Sequence, residues 1–277
     1  MASRSSSFKV SVVIPCYNSS AFLTETVQSV LAQTLRTFEV IFVNDGGQDE
    51  TPNIVQSMIG AGSTCPMRLI CQQRSGVAAA RNRGIAEARG RYILPLDADD
   101  LIDPTMLEEC ACVLDAEPEV SIVYTDRQDF GDVDQVWPAG RYELDHLKYF
   151  NQIAYCSMFR KSMWEQVGGY RVNVTGFDDW DFWIASALLG FRASHVAKPL
   201  LKHRRHSASF LWRILDQYER LLAQIVLNNP EAYSNAEVEM ATEFMRGGES
   251  PSFLKVSCFV FAERYFEGYI PTPVLKP

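Results

Sequence analysis

The chain has 277 residues, of which 47% are hydrophobic and 22% are charged; this balance is typical of a globular protein and excludes a disordered one. The length suits one large domain, or one domain with an extension. The formal net charge of −8 argues against general binding of nucleic acid, which usually needs a basic face. Such an acidic chain must hold any anionic ligand locally, with a few arginines or a metal ion.

The amino-terminal stretch "MASRSSSFKV" lacks the apolar core of a signal peptide, and we predict a flexible leader over residues 1–8. No apolar run reaches the roughly 20 residues that span a bilayer. We therefore expect a cytoplasmic protein, and a peripheral position at the inner face of the membrane is compatible with this. The seven cysteines are scattered without zinc-type spacing, which favours reduced thiols.

Strands and helices are predicted to alternate over the first 126 residues. Apolar, often β-branched runs predict five strands, in "FKVSVVIPCYN", "FEVIFVND", "MRLICQ", "RYILPLDADD" and "VSIVYTD", with helices between them. We expect Pro15 to end the first strand, and Ser19 or Ser20 to cap the first helix. The alternation predicts an α/β fold with a mainly parallel sheet that is covered by helices on both faces.

The pattern weakens after residue 126. The stretch "CSMFRKSMWEQVGGYRV" predicts a short strand, a helix and a Gly-Gly turn, and "TGFDDWDFWIASALLGF" predicts an acidic turn followed by a helix. Apolar residues from Ser207 to Leu227 form one helical stripe, which favours a helix packed on the main domain. A membrane-surface or partner-binding helix is the alternative, but the stripe lacks the basic polar face that anionic lipid favours.

Polar residues fall where the predicted strands end: Tyr17 and Asn18, Asn44 and Asp45, Gln72 to Gly76, and Asp97 to Asp100. In a parallel sheet the carboxyl ends of the strands share one edge, and ligands bind there. The first of these loops reads "PCYNSS", so it has neither the glycine-rich fingerprint of a dinucleotide site nor a P-loop. The ligand must be held without a glycine cradle.

The stretch "LPLDADDLID" places Asp97, Asp99 and Asp100 directly behind an apolar strand. Carboxylates this close repel one another unless a positive group lies among them. Because no His or Cys is adjacent, the site favours Mg²⁺ or Mn²⁺, which accept oxygen ligands and often share phosphates with a substrate. Adjacency leaves open whether Asp99 or Asp100 is the direct ligand, while Asp103 is expected to cap the next helix.

Four stretches together carry a resemblance to a known family: "VSVVIPCYNSSAFLTETVQSVLAQT", "FEVIFVNDGGQDETPNIV", "SGVAAARNRGI" and "ILPLDADDLIDPTML". The chain resembles the nucleotide-diphospho-sugar transferases of glycosyltransferase family 2, which have the GT-A fold. The likeness is close over residues 9–126 and looser to about residue 210. It implies a GT-A domain over residues 9–206, with a nucleotide-binding half (9–126) and an acceptor and catalytic half (127–206). It does not cover the rest of the chain, where the apolar stripe leads us to expect a helical extension over residues 207–277.

The resemblance implies a nucleotide site on the first two loops. Pro15 and Tyr17 would line the base pocket, and Asp45 would accept a hydrogen bond from the base, as the N–H of uracil requires; a UDP-sugar donor is therefore favoured. The family often has Asp where this chain has Asn44, and Ser where it has Gly47. Both departures weaken the assignment of the donor.

The resemblance also implies how the sugar diphosphate is held. Arg81 would approach the donor or order the metal-bearing loop, with a structural ion pair as the alternative. Asp97 would bind the ribose. Asp99, together with Asp100 and His206, would bind a Mn²⁺ or Mg²⁺ ion that bridges the diphosphate.

Two further motifs complete the resemblance. In "FDDWD" Asp179 matches the family's general base, and Asp178 stands where the family usually has Glu. Asp178 and Trp180 would form part of the acceptor site; the alternatives are a helix cap for Asp178 and a core position for Trp180. In "LLKHRRHSAS" Arg204 or Arg205 would neutralise the leaving diphosphate. A carboxylate suits the base role because it can take the proton of an acceptor hydroxyl.

The implied function is a metal-dependent, inverting glycosyltransferase that acts on a glycan or lipid-linked acceptor, as in polysaccharide biosynthesis. A sugar-nucleotide-binding module without turnover is a rival, which the presence of both Asp99 and Asp179 disfavours. A nucleotidyltransferase is a weaker rival, because "PCYNSS" has no Lys, Arg or Gly for a triphosphate. The sequence does not fix the sugar, the linkage, the acceptor or the oligomeric state.

Overall fold

The structure is a computed structural model, and it describes residues 8–62, 65–206, 217–255 and 257. Its strands are β1 (Val10–Cys16), β2 (Phe38–Asp45), β3 (Met67–Gln72), β4 (Tyr92–Pro95), β5 (Leu101–Ile102), β6 (Val120–Gly131), β7 (Gln135–Trp137), β8 (Met158–Arg160) and β9 (Arg192–Arg205). Its α-helices are α1 (Leu23–Leu31), α2 (Thr51–Gly60), α3 (Val77–Glu87), α4 (Met106–Ala116), α5 (Leu144–Leu147), α6 (Lys161–Val167), α7 (Asp178–Leu188), α8 (Tyr218–Asn228) and α9 (Asn235–Met245).

The strands form one sheet in the order β3-β2-β1-β4-β8-β6-β9-β5, with β7 paired to β6. The pairs of β1, β2, β3 and β4 with one another are parallel, as the alternation of strands and helices predicts. Strand β8 enters antiparallel to both β4 and β6, whereas β6 and β9 are parallel. The mixed half of the sheet thus begins where the sequence pattern weakens.

Helices cover both faces of the sheet, and the strands alternate between the two cores. In β1, Val13 packs into the core under α3, α6, α7 and α8, while Val12 and Ile14 pack into the core under α1, α2 and α4. A strand buried on both faces needs apolar residues at every position, which explains the continuous run in its sequence. This arrangement confirms the predicted α/β class.

The local expectations differ from the structure at two points near β1. The strand continues through Pro15, which pairs with Val43 of β2, to Cys16, so Pro15 does not end it. Helix α1 begins at Leu23, and its N-cap position is Phe22, which has no side-chain cap. Ser19 and Ser20 lie before that position, so neither caps the helix; the Ser20 N–H donates to Asp49 Oδ2 at 2.9 Å instead.

The second half keeps the predicted order of short strand, helix, Gly-Gly turn and helix. Gly168 and Gly169 both have positive φ, at 89° and 81°, and end α6 in a conformation that glycine adopts without strain. The predicted stripe over residues 207–227 lies partly outside the described residues; its described part falls in α8, where Leu222 and Val226 join the core. No helix within the described ranges is long and apolar enough to cross a membrane.

Helix α3 lies against the sheet at Gly84. A Cβ at this position would lie 2.4 Å from Val13 Cγ1 and 3.1 Å from Val43 Cγ2. We expect Gly84→Ala to lower the free energy of unfolding by about 1–3 kcal/mol, because overpacking outweighs the gain in helix propensity. Gly60→Ala at the end of α2, where a Cβ would meet nothing within 4 Å, is the matched control. Equal urea midpoints for the two variants would contradict the close packing.

Candidate active site

Asp45 lies at the end of β2 and holds the loop that follows β3. Its Oδ1 accepts from Gln72 Nε2 at 2.7 Å and from the Ser75 N–H at 2.8 Å, and its Oδ2 accepts from the Gly76 N–H at 2.8 Å. A carboxylate oxygen can accept more than one hydrogen bond, so Oδ2 keeps capacity for a further donor. The predicted contact with a base stays a prediction, and Asp45 also has a structural role.

Tyr17 has an exposed ring and directly follows β1, whose last residue pairs with Asn44 near the end of β2, whereas Pro15 is buried in β1. The guanidinium carbon of Arg74 lies 4.3 Å from the centroid of the Tyr17 ring. Sequence reasoning did not single out Arg74, although it lies within the polar segment after β3. The ring and the guanidinium together form a flat, cationic surface that suits a nucleotide.

The close packing of the first loop explains why position 47 is a glycine. A Cβ there would lie 2.8 Å from the Asn18 backbone nitrogen, and Asn18 itself has a positive φ of 52° while its Oδ1 accepts from the Gln48 N–H. A serine at this position would collide with the Asn18 turn. The departure from the family pattern at Gly47 is therefore tied to the backbone of the first loop.

The three carboxylates after β4 have separate environments. Asp100 is 2% exposed, and its two oxygens accept from the Tyr155 hydroxyl at 2.6 Å and from the Arg204 N–H at 2.7 Å. Burial, with Asp99 and Asp97 nearby, raises the pKa of Asp100 to about 7. Asp99 is more exposed than Asp100.

Asp99 is the carboxylate of this group that pairs with His206. Its Oδ2 lies 3.1 Å from His206 Nε2, and although burial acts in the opposite direction, this hydrogen bond lowers the pKa of Asp99. Among the described side chains, no group of three or more His, Cys, Asp or Glu residues is arranged to hold a metal ion. One carboxylate and one imidazole fit a Mn²⁺ or Mg²⁺ site whose other ligands are substrate oxygens and water. Asp99 is therefore the better candidate for direct binding of a metal ion. Asp100 is buried, and its hydrogen bonds hold the loop after β4 in place.

Arg81 of α3 joins the end of β4 to the start of α7. Its Nη2 lies 2.7 Å from Asp97 Oδ1 and its Nη1 lies 2.6 Å from Asp178 Oδ2. The side chains of Arg81 and Asp178 are only 5% and 1% exposed, so their ion pair is shielded from water, whereas Asp97 is 33% exposed. Arg81 therefore orders the two halves of the site relative to each other.

Asp179 follows Asp178 at the first turn of α7 and is partly buried. Burial first, and then the charge of Asp178, raises the pKa of Asp179 to about 7. The Nδ2 of Asn151 donates to Asp179 Oδ2 at 2.9 Å, and this hydrogen bond favours the ionised form. A carboxyl group that titrates near neutral pH is suited to general base catalysis.

The structure disagrees with the predicted acceptor wall of Asp178 and Trp180. Each is 1% exposed, and Asp178 is occupied by Arg81. The Trp180 Nε1–H donates to the Leu147 carbonyl oxygen, and the ring packs edge-on against Phe177. Both residues support α7 from within the core, because their polar atoms are already satisfied there.

Arg204 and Arg205 are also engaged by the protein. The Arg204 guanidinium lies between the rings of Phe22 and Phe130, at 4.7 and 4.5 Å from their centroids, and it donates to the Asp99 carbonyl and to Glu25. It braces the Asp99 loop, a role other than the predicted contact with the diphosphate.

Arg205 turns toward a different carboxylate. Its Nη1 lies 3.5 Å from Asp129 Oδ2, and Arg205 itself is buried. The adjacent His203 Nδ1 lies 3.3 Å from Asp129 Oδ1. The predicted diphosphate contact is therefore not supported for Arg205 either.

Sequence reasoning missed Tyr155, Asn151 and Asp129. Tyr155 accepts from the Asp97 N–H at 3.0 Å while it donates to Asp100, and Asn151 reaches Asp179. All three lie after residue 126, where the sequence pattern weakens. The partners of Tyr155 and Asn151 are distant in sequence, as are His203 and Arg205, which lie near Asp129. An asparagine or tyrosine in such a segment carries no signal of its own.

Solved structures of similar fold define the class of protein. The chain aligns with S. aureus TarS 1–349 in complex with UDP-GlcNAc at a TM-score of 0.67 and 19% identity, covering 93% of this chain and 74% of that one. It aligns with the mannosyltransferase PcManGT from Pyrobaculum calidifontis, in complex with GDP-Man and Mn²⁺, at a TM-score of 0.63 and 20% identity over 92% and 69% of the two chains. The fold is that of GT-A glycosyltransferases.

The family follows from the sequence match. Residues 11–171 match the family described as "Glycosyl transferase family 2", and the chain belongs to that family. It is 27% identical over 187 residues to the chondroitin synthase of Escherichia coli, which covers 65% of this chain and 27% of that protein. The chain spans between 20% and 27% of the length of the first four curated relatives that it matches.

Proposed function

We propose that this chain transfers a sugar from a nucleotide-diphosphate donor, a UDP-sugar in the first instance, to a hydroxyl group of a glycan or lipid-linked acceptor, with inversion at the anomeric carbon. The observation that carries the proposal is the Arg81 bridge, which joins Asp97 at the strand edge to Asp178, the neighbour of Asp179. A donor site and a base are thereby held at one edge of the sheet.

Each residue of the site has a task in this reaction. Tyr17 and Asp45 receive the nucleotide base, and Asp97 receives the ribose. Asp179 takes the proton of the acceptor hydroxyl while that oxygen attacks C1 of the donor sugar, from the face opposite to the nucleotide. Positioning of the two substrates does the remaining work, and no covalent enzyme intermediate is needed.

A divalent ion fits the donor side of this proposal. Asp99 and His206 would hold Mn²⁺ or Mg²⁺, and such an ion supplies charge stabilisation to a diphosphate leaving group. The structural neighbour in complex with GDP-Man and Mn²⁺ supports the same ion class. Arg204 keeps the Asp99 loop in place through the Asp99 carbonyl.

The names of the relatives support a setting in polysaccharide synthesis. Chondroitin and hyaluronan synthases are among the curated proteins that match, and the UDP-GlcNAc complex of TarS supports a uridine donor. We propose a cytoplasmic enzyme, with a peripheral position at the membrane where the acceptor is lipid-linked.

Incubation with Mn²⁺ and a panel of sugar nucleotides tests the proposal. We expect hydrolysis or transfer with one UDP-sugar, and a rise in Tm with that donor and Mn²⁺ together, because ligand binding stabilises the native state. Asp99→Asn should lose the Mn²⁺-dependent part of the Tm rise and lower turnover by at least about tenfold. The exposed Asp145, changed to Asn, is the control. Tight binding of nucleotides without turnover of any donor would contradict the proposed enzyme and indicate a sugar-nucleotide-binding module.

The pH profile reports on Asp179. Because Asp179 must be ionised to act as a base and its pKa is raised to about 7, kcat/KM should rise by about tenfold per pH unit below that value and level off above it. Asn151→Ala removes a hydrogen bond to the ionised form, so the pKa should rise further and the acidic limb should move to higher pH. The exposed amide of Gln166, which bonds within α6, provides the control variant Gln166→Ala. An unchanged limb in Asn151→Ala would argue against Asp179 as the titrating group.

A further inference from the structure

The C-terminal segment, residues 218–245, contains α8 and α9 and lies beyond the family match, which ends at residue 171. The match therefore gives this segment no role. Its apolar residues share a core with α7, the helix that carries Asp179. At the start of α7, the rings of Phe177 and Tyr218 pack edge to face with their centroids 5.1 Å apart. The segment thus packs against the helix of the proposed base.

The first polar contact of the C-terminal segment is with α7 itself, at Asp181, two residues beyond Asp179. Asp181 is 1% exposed, and its Oδ1 accepts from Asn228 Nδ2 at 3.1 Å and from Asn229 Nδ2 at 2.9 Å. Arg171 Nη1 also lies 3.1 Å from this oxygen. A buried carboxylate keeps its position when several donors surround it. The end of α8 therefore fixes the first turn of α7.

The second polar contact is with the residues just before Asn151. The Tyr149 hydroxyl donates to Glu237 Oε1 at 2.6 Å, and the Tyr233 hydroxyl donates to the Lys148 carbonyl oxygen at 2.8 Å. The two tyrosine rings also pack edge to face, with their centroids 6.4 Å apart. Although burial acts in the opposite direction, hydrogen bonds, that from Tyr149 first, lower the pKa of Glu237. Its carboxylate is therefore ionised, which strengthens the bond from Tyr149.

These contacts matter for Asn151 because residues 148–157, between α5 and β8, form neither helix nor strand. The position of such a segment depends on its tertiary contacts, since no ladder of backbone hydrogen bonds fixes it. Asn151 lies two residues beyond Tyr149, and its Nδ2 donates to Asp179 Oδ2 at 2.9 Å. Both partners of this hydrogen bond are thus held from the C-terminal segment, Asp179 through α7 and Asn151 through the residues before it.

The two charged side chains with the largest effect on Asp179 lie outside the C-terminal segment. Asp178 precedes Asp179 on α7, and Arg81 approaches from α3. The next group in effect is Asn151, whose position depends on the segment. A hydrogen bond donated to a carboxylate favours the ionised form, and it weakens steeply when its geometry is lost. A small displacement of Asn151 therefore changes how readily Asp179 takes a proton.

We propose that the C-terminal segment positions the proposed base, by holding α7 and Asn151 so that Asn151 donates to Asp179. Tyr149 and Tyr233 are its positioning residues. The inference rests on the proposed transferase function, in which Asp179 takes the proton of the acceptor hydroxyl. It gives the segment a part in catalysis beyond its contribution to the core. Because the two tyrosines act through Asn151, loss of their hydroxyl groups should change the properties of Asp179 and leave donor binding as it is.

The double variant Tyr149→Phe with Tyr233→Phe tests the proposal, because it removes two hydroxyl groups and keeps both rings. A change of Asn229 would instead leave the buried Asp181 short of donors and endanger the fold. We expect kcat at pH 7 to fall by about threefold to tenfold, with an unchanged KM for the donor, and the acidic limb of kcat/KM to move to higher pH. Carbon-13 NMR of Asp-labelled protein, which needs no turnover, should show the Asp179 carboxyl group titrating at higher pH as well.

Tyr218→Phe is the matched control. It removes a hydroxyl group from the same segment, one that donates to the Ser257 carbonyl oxygen at 3.2 Å, and it keeps the ring against Phe177. Urea unfolding checks that both variants are folded under the assay conditions. If the double variant had the kcat, the pH profile and the Asp179 titration of Tyr218→Phe, the segment would support the fold alone and the proposal would be refuted. If the wild type turned over no donor while the Asp179 titration still moved in the double variant, the proposed enzyme would be refuted and the positioning of Asp179 would stand.

Discussion

The Asp179→Asn variant should bind its sugar nucleotide as the wild type does and transfer the sugar about 10²–10⁴-fold more slowly, since that is the usual contribution of a positioned general base. The amide keeps the size of the side chain and can still bond with Asn151, but it cannot accept the proton of an acceptor hydroxyl. The loss should appear in kcat, because in the proposed mechanism Asp179 acts on the acceptor hydroxyl, while Arg81 keeps its ion pair with Asp97 on the proposed donor side.

The same substitution should leave the fold at least as stable. Because burial and Asp178 raise the pKa of Asp179 above its value in the unfolded chain, the wild type loses stability as the pH rises through the range between those two values. The variant lacks this penalty, so its Tm advantage should be larger at pH 8 than at pH 5. Greater stability with less activity is a frequent property of substitutions in active sites.

Single-turnover transfer and donor titration by thermal shift measure the two effects separately. Asp145→Asn, on the exposed face of α5, should change neither. An Asp179→Asn variant that keeps more than a tenth of the wild-type kcat at its optimal pH would remove Asp179 from the role of base, and a lost donor affinity would place it in the donor site instead.

The sequence allowed a sound prediction of the parallel half of the sheet. Local signals suffice there: β1 is apolar at every position because it is buried on both faces, and polar residues begin where β2 and β4 end. The same signals bring Asp45 and Asp97 to one edge. These inferences need only the chain order and the period of apolar residues.

The environments of Asp99 and Asp100 could not be predicted in this way. Adjacent residues differ because Asp100 meets Tyr155 and Arg204, which are 55 and 104 residues away, whereas Asp99 meets His206. Which carboxylate is buried depends on how β9 returns to the sheet, and no periodic pattern encodes this.

The surroundings of Arg204, Arg205 and Trp180 could not be predicted from the sequence either. A motif such as "HRRH" suggests positive charge near a ligand, but Arg204 is placed between Phe22 and Phe130 and Arg205 is drawn to Asp129. Trp180 lies in the core, where its Nε1–H donates to the carbonyl oxygen of Leu147 at the end of α5. Charge and aromatic character are visible in a sequence, while the direction of a side chain is decided by tertiary packing.

The Arg81→Met variant should lower the free energy of unfolding by about 3–5 kcal/mol, the usual result when one partner of a buried ion pair is removed. Asp178 is 1% exposed, so its charge would be left without the guanidinium and close to Asp179. Arg81→Lys should recover little of this loss, because a single ammonium group cannot replace two guanidinium nitrogens that face different carboxylates.

Arg83, two residues further along α3, offers a matched comparison. It is 55% exposed and pairs with Glu87 at the i,i+4 spacing, so Arg83→Met should cost no more than about 0.5 kcal/mol. Urea unfolding of both variants measures the difference. If Arg81→Met lost no more free energy of unfolding than Arg83→Met, the ion pairs of Arg81 with Asp97 and Asp178 would not stabilise the fold.

A double substitution separates the charge from the packing. In Arg81→Met with Asp178→Asn, no unpaired charge is left at the buried position 178, so part of the lost stability should return. Asp97 still loses its partner, but it is 33% exposed and water can solvate it. The coupling between positions 81 and 178 measures their interaction. Turnover should stay low in the double variant. The Arg81 bridge also fixes the start of α7 against the strand edge. A double variant that folds but lacks the bridge would therefore position Asp179 less exactly. Small displacements of a reacting group lower the rate by large factors. Full activity in the double variant would show that the bridge stabilises the fold alone.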